Sequence, residues 1–189
     1  MALIGMYILL ACRKQEATIM AIDNISGSHF VEVQRFRQWW LWLLMIILIA
    51  ISWWSFIQQI VIGTPFGSKP APDIMVWIIF ILVGIGLPGF FCALKMVTDV
   101  RSDMIHVRFF PFVSRSIYFR DIATYKVIEY RPIRQFGGWG IRWSPRSGLA
   151  YNVSGNKGLQ LELLNNKKIL VGTQKPEEFA GALKTAMGR

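Results

Sequence analysis

The sequence predicts an α+β membrane protein, in which a two-helix transmembrane hairpin is followed by an antiparallel β-barrel or sandwich capped by a C-terminal helix. Three observations predict this class: the chain is 53% hydrophobic with a mean hydropathy of +0.40, it holds two long uncharged apolar runs, and apolar and polar residues alternate beyond them. The formal net charge is nevertheless +10. This combination is typical of a membrane protein that turns a basic side toward anionic lipid or an acidic partner.

The two apolar runs lie at about residues 39–61 and 74–94. Each is long enough to cross the ~30 Å hydrocarbon core of a bilayer as a helix that rises about 1.5 Å per residue. The segment that joins them is short and rich in proline and glycine. Residues 39–96 are therefore predicted to form a transmembrane helical hairpin.

Basic residues flank this hairpin on one side. Arg35 and Arg37 precede the first run, Lys95 and Arg101 follow the second, and the connecting loop has only Lys69. Because short cytoplasmic flanks carry an excess of Lys and Arg, we expect a multi-pass protein of the cell inner membrane with both termini in the cytoplasm.

The second run contains a GxGxxG pattern from Gly84 to Gly89. A dinucleotide-binding fingerprint requires a preceding strand and a soluble βαβ unit, and an uncharged apolar run offers neither. We therefore interpret the pattern as a site of close helix packing, aided by Gly89 and Ala93, with a bend at Pro88.

Residues 1–38 are predicted to form an N-terminal leader that is cytoplasmic and partly disordered. The stretch that ends in Leu-Leu-Ala-Cys12 resembles a lipoprotein cleavage site, but it lacks the basic region that begins a signal peptide. Met20 offers an alternative start. An N-terminus that extends beyond the true start, or a disordered leader, is favoured over lipidation of Cys12. The sequence does not decide whether Cys12 is lipidated.

Residues 97–189 are predicted to form the cytoplasmic domain, with about seven short antiparallel strands. Leu159, Leu161 and Leu163, for example, alternate with polar residues. The Asn165-Asn166 pair that follows suits a tight primed hairpin turn, since asparagine tolerates a positive φ.

The chain ends in a predicted amphipathic helix. Pro176 suits the first helical position, and Phe179, Leu183 and Met187 recur every four residues to form an apolar stripe. Gly188 suits the helix end. Short strands capped by such a helix have the layout of a pleckstrin-homology (PH) domain.

Several stretches carry a resemblance to a known family. They are RFRQWWLW at 35–42, GGWGIR at 137–142, AYNVSGNKGLQLEL at 150–163 and VGTQKPEEFAGAL at 171–183. Over roughly residues 30–187 the chain resembles uncharacterised prokaryotic two-span membrane proteins with a bacterial PH-like domain. The resemblance implies a fold and a membrane location, and it implies no catalytic residue.

Residue types predict a non-enzymatic protein with no cofactor and no metal site. The chain has only two histidines, His29 and His106, and no nucleophile elbow, HExxH or phosphate-loop motif. The apolar runs contain no Asp, Glu, Lys, Arg or His, which argues against an ion pathway through this chain alone. An enzyme stays open only because pockets cannot be read from a sequence.

The most unusual stretch is QFGGWGIRWSPRSG at 135–148, inside a run from 130 to 161 without any acidic residue. We expect it to lie between strands and to form a basic contact surface beside the membrane. Lys167 and Lys168, beside the Asn165-Asn166 turn, are expected to contribute less. The candidate binding residues are Arg131, Arg134, Trp139, Arg142, Trp143 and Arg146.

A structural interpretation of the same stretch stays open. Gly137, Gly138 and Gly140 could serve only to provide positive φ angles for a bulged hairpin. Trp139 or Trp143 would then cover the end of the barrel, since aromatic side chains more often pack in a core than bind a ligand.

Together these features predict a binding module that is anchored in the membrane and contacts a protein partner or anionic lipid headgroups. The alternative is an assembly or stabilising subunit of a larger membrane complex, held by its transmembrane helices. Membrane lipids and a protein partner are the expected contacts. Nucleic acid is not expected, because basic charge alone is no nucleic-acid-binding signature, and an oligomer remains open.

Overall fold

The computed structural model describes residues 28–64 and 71–188, and the chain divides into two compact units. One unit holds the described residues up to Phe36 together with those from Leu94 onward, and the other holds those between Arg37 and Ala93. The predictions about Cys12, Met20 and Lys69 lie outside the described residues.

The hairpin unit consists of two long helical stretches, 39–61 with mean hydropathy 2.2 and 73–93 with mean hydropathy 2.5. Both are long and apolar enough to cross a membrane, as the sequence predicted, and few of their residues are buried inside the protein. Their segments are α1 (Trp39–Phe56) followed by a π-helical turn (Ile57–Val61), and α2 (Asp73–Ile79), a π-helical stretch (Phe80–Gly86) and α3 (Leu87–Ala93).

Helix packing in this unit centres on Gly84 rather than on Gly89. A Cβ at Gly84 would lie 3.1 Å from the Ser52 hydroxyl oxygen, whereas one at Gly89 would meet nothing within 4 Å. Pro88 has no N–H to donate to the Gly84 carbonyl four residues earlier. That carbonyl instead accepts a hydrogen bond from the Trp53 indole N–H at 3.4 Å, so the two helices meet where the backbone needs a donor.

Aromatic rings fill the space beside this contact. The Phe56 and Phe80 rings stack with centroids 4.0 Å apart, and Trp77 meets Phe56 edge-to-face at 4.8 Å. At the loop end, the Gln59 side-chain amide donates to the Asp73 carboxylate at 2.8 Å. Ring contacts and this hydrogen bond thus join the two helices.

The second unit begins with a sheet of four antiparallel strands in the order β1-β2-β3-β4. These are β1 (Phe30–Arg35), β2 (Lys95–Val100), β3 (Met104–Phe110) and β4 (Val113–Tyr118). Residues 30–35 are therefore not part of a separate leader over 1–38, as predicted, because β1 belongs to the sheet although the whole helical hairpin separates it from β2. Its register, with Glu32 opposite Thr98, buries alternate side chains.

The other sheet has five strands in the order β5-β8-β9-β7-β6. They are β5 (Ile122–Glu129), β6 (Gly140–Ser144), β7 (Gly148–Asn152), β8 (Lys157–Leu163) and β9 (Lys168–Gly172). All neighbours pair antiparallel except β7 and β9, which are parallel.

Three details of the predicted β domain are wrong. The described residues form nine strands in two sheets rather than a closed barrel, because β4 and β5, on either side of the turn at Phe119–Asp121, do not pair with each other. The strands are not all antiparallel, since β7 pairs with β9 in parallel. In the β8–β9 turn only Asn166 has a positive φ, of 61°, so Asn165-Asn166 is not a primed pair.

A short helix, α4 (Pro132–Phe136), precedes the C-terminal helix α5, which spans Pro176–Met187 and ends at left-handed Gly188, as predicted. Its Phe179 and Leu183 side chains are fully buried. The Phe179 ring stacks on Phe30 of β1 with centroids 5.2 Å apart. The helix therefore closes the core against the strand that precedes the hairpin.

Hydrogen bonds from β1 hold the start of this helix. The Glu32 carboxylate accepts a hydrogen bond from the Gln174 backbone N–H at 2.9 Å and another from the Thr173 hydroxyl. The Gln34 amide donates to the Gly172 carbonyl at 2.8 Å. The segment between β9 and α5 thus satisfies the Glu32 carboxylate and the Gln34 amide N–H, whereas the Gln34 side-chain oxygen has no hydrogen-bond partner among the described residues.

Candidate functional site: a basic cleft

The predicted basic stretch is an ordered part of the second sheet, not a loop between strands. It begins in a short helix, α4 (Pro132–Phe136), continues as edge strand β6 and ends in the β6–β7 turn. Gly137, Gly138 and Gly140 all have positive φ, as the structural interpretation expected. They redirect the chain from the helix into the strand.

The two tryptophans of the stretch differ in surroundings. Trp139 is half-buried, with its indole N–H 3.5 Å from the Gly155 carbonyl. Its own carbonyl accepts a hydrogen bond from the Arg142 guanidinium at 3.2 Å. Trp143 is 70% exposed, so it does not cover an end of the β domain. Trp139 and Arg142 thus stabilise the turn, while Trp143 is available for contact.

Trp143 forms one wall of a cleft of about 510 Å³ between the β6–β7 and β8–β9 turns. Ser144 and Asn166 contribute polar groups to it. We call this site the basic cleft and define it by its cationic and aromatic side chains: Arg115, Trp143, Arg146, Lys167 and Lys168.

Local backbone geometry brings these turns together. Gly148 begins β7 with a φ of +78°, and a Cβ there would collide with the Lys168 carbonyl. The parallel register, with Leu149 opposite Ile169, sets the starts of β7 and β9 side by side. The turn that carries Arg146 therefore lies beside Lys168.

The charge of the basic cleft is only partly neutralised. Lys168 forms an ion pair with Glu162 at 3.2 Å, and this lysine lowers the pKa of the Glu162 carboxyl. Within the described residues, Arg115, Arg146 and Lys167 form no ion pair with a carboxylate. Three cations near one exposed indole can attract an anionic group and hold an apolar or π surface beside it.

A second cleft, of about 610 Å³, lies on the other side of Arg146. Arg131 and Arg134, both exposed, line it together with Gln135 and Ser147. We call it the arginine cleft. The six candidate residues thus separate into three groups: Arg131 and Arg134 in the arginine cleft, Trp143 with the shared Arg146 in the basic cleft, and Trp139 with Arg142, which line neither.

Sequence reasoning missed part of this site. Arg115 lies on β4 of the first sheet, and nothing in its strand pattern indicates that it meets the β6–β7 turn. Lys167 and Lys168 were treated as separate from the predicted surface, but they line the same cleft as Arg146. Only the parallel pairing of β7 with β9 explains this, and such a crossover is not readable from local sequence.

Across the described residues, no group of three or more His, Cys, Asp or Glu side chains could hold a metal ion.

Comparison with known proteins places the chain in a family. No curated protein and no solved structure matches the chain. One family model, DUF6141, matches residues 22–189 and is described as a family of unknown function. The match covers most of the chain, which therefore belongs to the family DUF6141.

Proposed function

We propose that this chain is a non-catalytic binding module anchored in the cell inner membrane. Its two apolar helices hold a PH-like domain at the cytoplasmic face, where the basic cleft binds the anionic groups of lipid headgroups or of an acidic protein partner. Membrane lipids and a protein partner are the proposed contacts.

The observation that carries this proposal is the unneutralised charge of the basic cleft beside an exposed tryptophan. Arg115, Arg146 and Lys167 come from three different turns or strands and line one concave surface. Near anionic lipid each such cation contributes roughly 1 kcal/mol of attraction. Trp143 adds an amphipathic ring of the kind enriched at membrane interfaces and protein interfaces.

Support for the location comes from the hairpin and its flanks. Both helices expose continuous apolar surface, which is unfavourable in water and favourable in a bilayer. Arg35, Arg37 and Lys95 flank them, which favours cytoplasmic termini. Support for a PH-like domain comes from two mainly antiparallel sheets whose core is closed by a C-terminal helix.

A non-catalytic role agrees with the chemistry of the cleft. Its described lining residues include no carboxylate, histidine or cysteine. Carboxylate, imidazole and thiol groups are common general acid–base and nucleophilic catalysts. Cations, a hydroxyl and an amide instead suit the binding of an anion.

The proposal is tested by photo-crosslinking of the full chain in native membranes. Trp143 is replaced by a photoreactive phenylalanine derivative, and a second variant carries the same residue at Lys126. Lys126 is the matched control because it is also exposed but lies on β5, at the opposite edge of the five-stranded sheet. We expect a lipid or protein adduct at position 143 and none at 126, and its mass distinguishes the two ligand classes.

Charge dependence completes this test. Changing Arg146 and Lys167 together to Gln should remove most of the adduct at position 143, because anion binding depends on these cations. Equal adducts at positions 143 and 126, or an adduct unaffected by the double change, would contradict the proposal.

The alternative function is an assembly or stabilising subunit held by its helices. The apolar side chains that the helices expose, Trp54 and Trp77 among them, favour it because they can pack against other membrane helices. Exchanging both spans for unrelated apolar helices discriminates the two. A retained adduct at position 143 supports the binding module, and its loss supports the subunit.

A further inference from the structure

The β3–β4 turn carries an apolar tip that the basic cleft does not use. Phe110, Pro111 and Phe112 form the tip, and the Phe112 N–H donates to the Phe109 carbonyl at 2.8 Å to close the turn. Phe110 is 50% exposed and Phe112 is 60% exposed. We propose that this aromatic tip inserts into the interfacial layer of the bilayer that the helices span, as a third membrane contact.

Chain connectivity places the tip near the membrane. Phe110 lies directly opposite Lys95 in the sheet, and only Leu94 separates Lys95 from Ala93, the last residue of α3. Consecutive Cα atoms are about 3.8 Å apart and paired Cα atoms about 5 Å apart. Phe110 therefore lies within about 13 Å of the helix end, whatever the orientation of the domain.

The first helix imposes the same constraint. Arg35, the last residue of β1, also lies opposite Lys95, and three residues separate it from Trp39 at the start of α1. The end of the sheet that carries the tip is thus tied to both helices by short links. It cannot move far from the membrane surface if the hairpin spans the bilayer.

The chemistry of this end suits a lipid interface. The Lys95 ammonium lies 5.6 Å from the centre of the Phe110 ring, a cation–π contact. Trp39 and Trp40, both exposed, begin the helix that follows β1. Aromatic rings prefer the headgroup level of a bilayer.

The bilayer is a better occupant than a protein surface. A stable protein interface buries roughly 1,000 Å² or more, which a three-residue tip cannot provide alone. Insertion of two rings into an interface needs no such area, because the helices already hold the chain at the membrane. The inference therefore rests on the proposed membrane location but not on ligand binding by the basic cleft.

Spin-label accessibility in the reconstituted full chain tests the inference. After Cys12 and Cys92 are changed to Ala, single cysteines are introduced as Phe112→Cys, Leu164→Cys and Ile47→Cys and labelled. Leu164 is the matched control: it is an apolar turn residue, 69% exposed, and its N–H donates to the Asp121 carbonyl. Asp121 lies three residues after Tyr118, and Tyr118 pairs with Met104 at the end of β3 opposite the tip. Leu164 therefore lies beside the end of β3 that is away from the tip.

Collisions with oxygen, which dissolves in lipid, are compared with collisions with a water-soluble nickel chelate. We expect a several-fold higher oxygen-to-nickel ratio at position 112 than at position 164, approaching the ratio at Ile47 in α1. A circular dichroism melt of each labelled variant shows that it is folded, and Phe110→Cys gives a second reading of the tip.

Two outcomes overturn the inference alone. One is a label at 112 that meets nickel as freely as the label at 164, and the other is a label at 112 shielded from both reagents, which indicates a protein contact. In both cases the label at Ile47 still meets oxygen. If Ile47 also meets nickel freely, the hairpin is not in the bilayer and the proposed location fails as well.

Discussion

At the scale of single residues, side chains far apart in sequence form the core contacts. The four-residue spacing of the C-terminal helix predicted that Phe179 would be buried, and this is confirmed. The sequence did not indicate its partner, because Phe30 precedes the hairpin and the two rings meet only in the folded domain. Periodicity reports which face is buried but not what covers it.

Replacing Phe179 with Ala should therefore destabilise the domain strongly. Loss of a fully buried aromatic ring costs on the order of 3–5 kcal/mol. Leu164→Ala, at an exposed apolar position, is the matched control and should change stability by less than about 0.5 kcal/mol. Denaturant unfolding of the full chain in detergent measures both, and equal stability of the two variants would refute the burial.

Gly148 allows the β6–β7 turn to lie against the Lys168 carbonyl at the basic cleft. Gly148→Ala combines a positive φ with a collision against the Lys168 carbonyl, whereas Gly155→Ala has a similar φ of +79° and nothing within 4 Å. The second change should cost only the left-handed backbone penalty, about 1–2 kcal/mol. The first should cost clearly more and should lower crosslinking at Trp143. Unfolding free energies of the two variants test this, and equal losses would contradict the close approach.

At the scale of elements, β1 was the largest difference between expectation and structure. A strand that is separated from its neighbour by two long apolar helices has no local signal, and residues 28–38 resemble an ordinary flank. The strand that contains Leu159 and Leu163 was predictable because its alternation of apolar and polar residues is local. The order β5-β8-β9-β7-β6 was not, since it depends on pairings between distant segments.

The hydrogen bonds from β1 to the start of α5 make a testable element contact. Glu32→Ala removes the carboxylate that accepts hydrogen bonds from the buried Thr173 hydroxyl and from the Gln174 backbone N–H. This loss should lower the free energy of unfolding by about 1–3 kcal/mol. Glu129→Ala, which removes an exposed carboxylate with a 3.6 Å ion pair to Lys157, should cost far less. Thermal unfolding of both variants measures the two losses of stability. A larger loss for Glu129→Ala than for Glu32→Ala would refute the prediction.

At the scale of the whole molecule, the chain leaves the β domain after β1 and returns to it at β2. The sequence predicted two apolar helices followed by strands and a terminal helix, because length and periodicity are strong signals for those elements. It did not predict that the domain is discontinuous, nor that Arg115 and Lys167 join Arg146 in one cleft. Those features arise from tertiary pairing alone.

A discontinuous domain predicts different behaviour for two soluble fragments. A fragment of residues 97–189 lacks β1 and the first two residues of β2, and it uncovers the face of the Phe179 ring that stacks on Phe30. Residues 28–36 joined by a short Gly-Ser linker to 94–189 should fold, because Arg35 and Lys95 lie opposite each other, about 5 Å apart. Only the joined fragment should unfold cooperatively as a monomer, and an equally stable 97–189 fragment would show that β1 is dispensable.

The central claim is that two membrane spans hold the β domain at the cytoplasmic face, and cysteine labelling in intact cells tests it most directly. In a background with Cys12 and Cys92 changed to Ala, a cysteine is placed at Ser68, between the spans, or at the exposed Lys126 of the domain. A membrane-impermeant maleimide should label position 68 in intact cells and position 126 only after the cells are opened. Labelling of 126 but not 68 in intact cells, or equal labelling of both in the soluble fraction, would contradict the account.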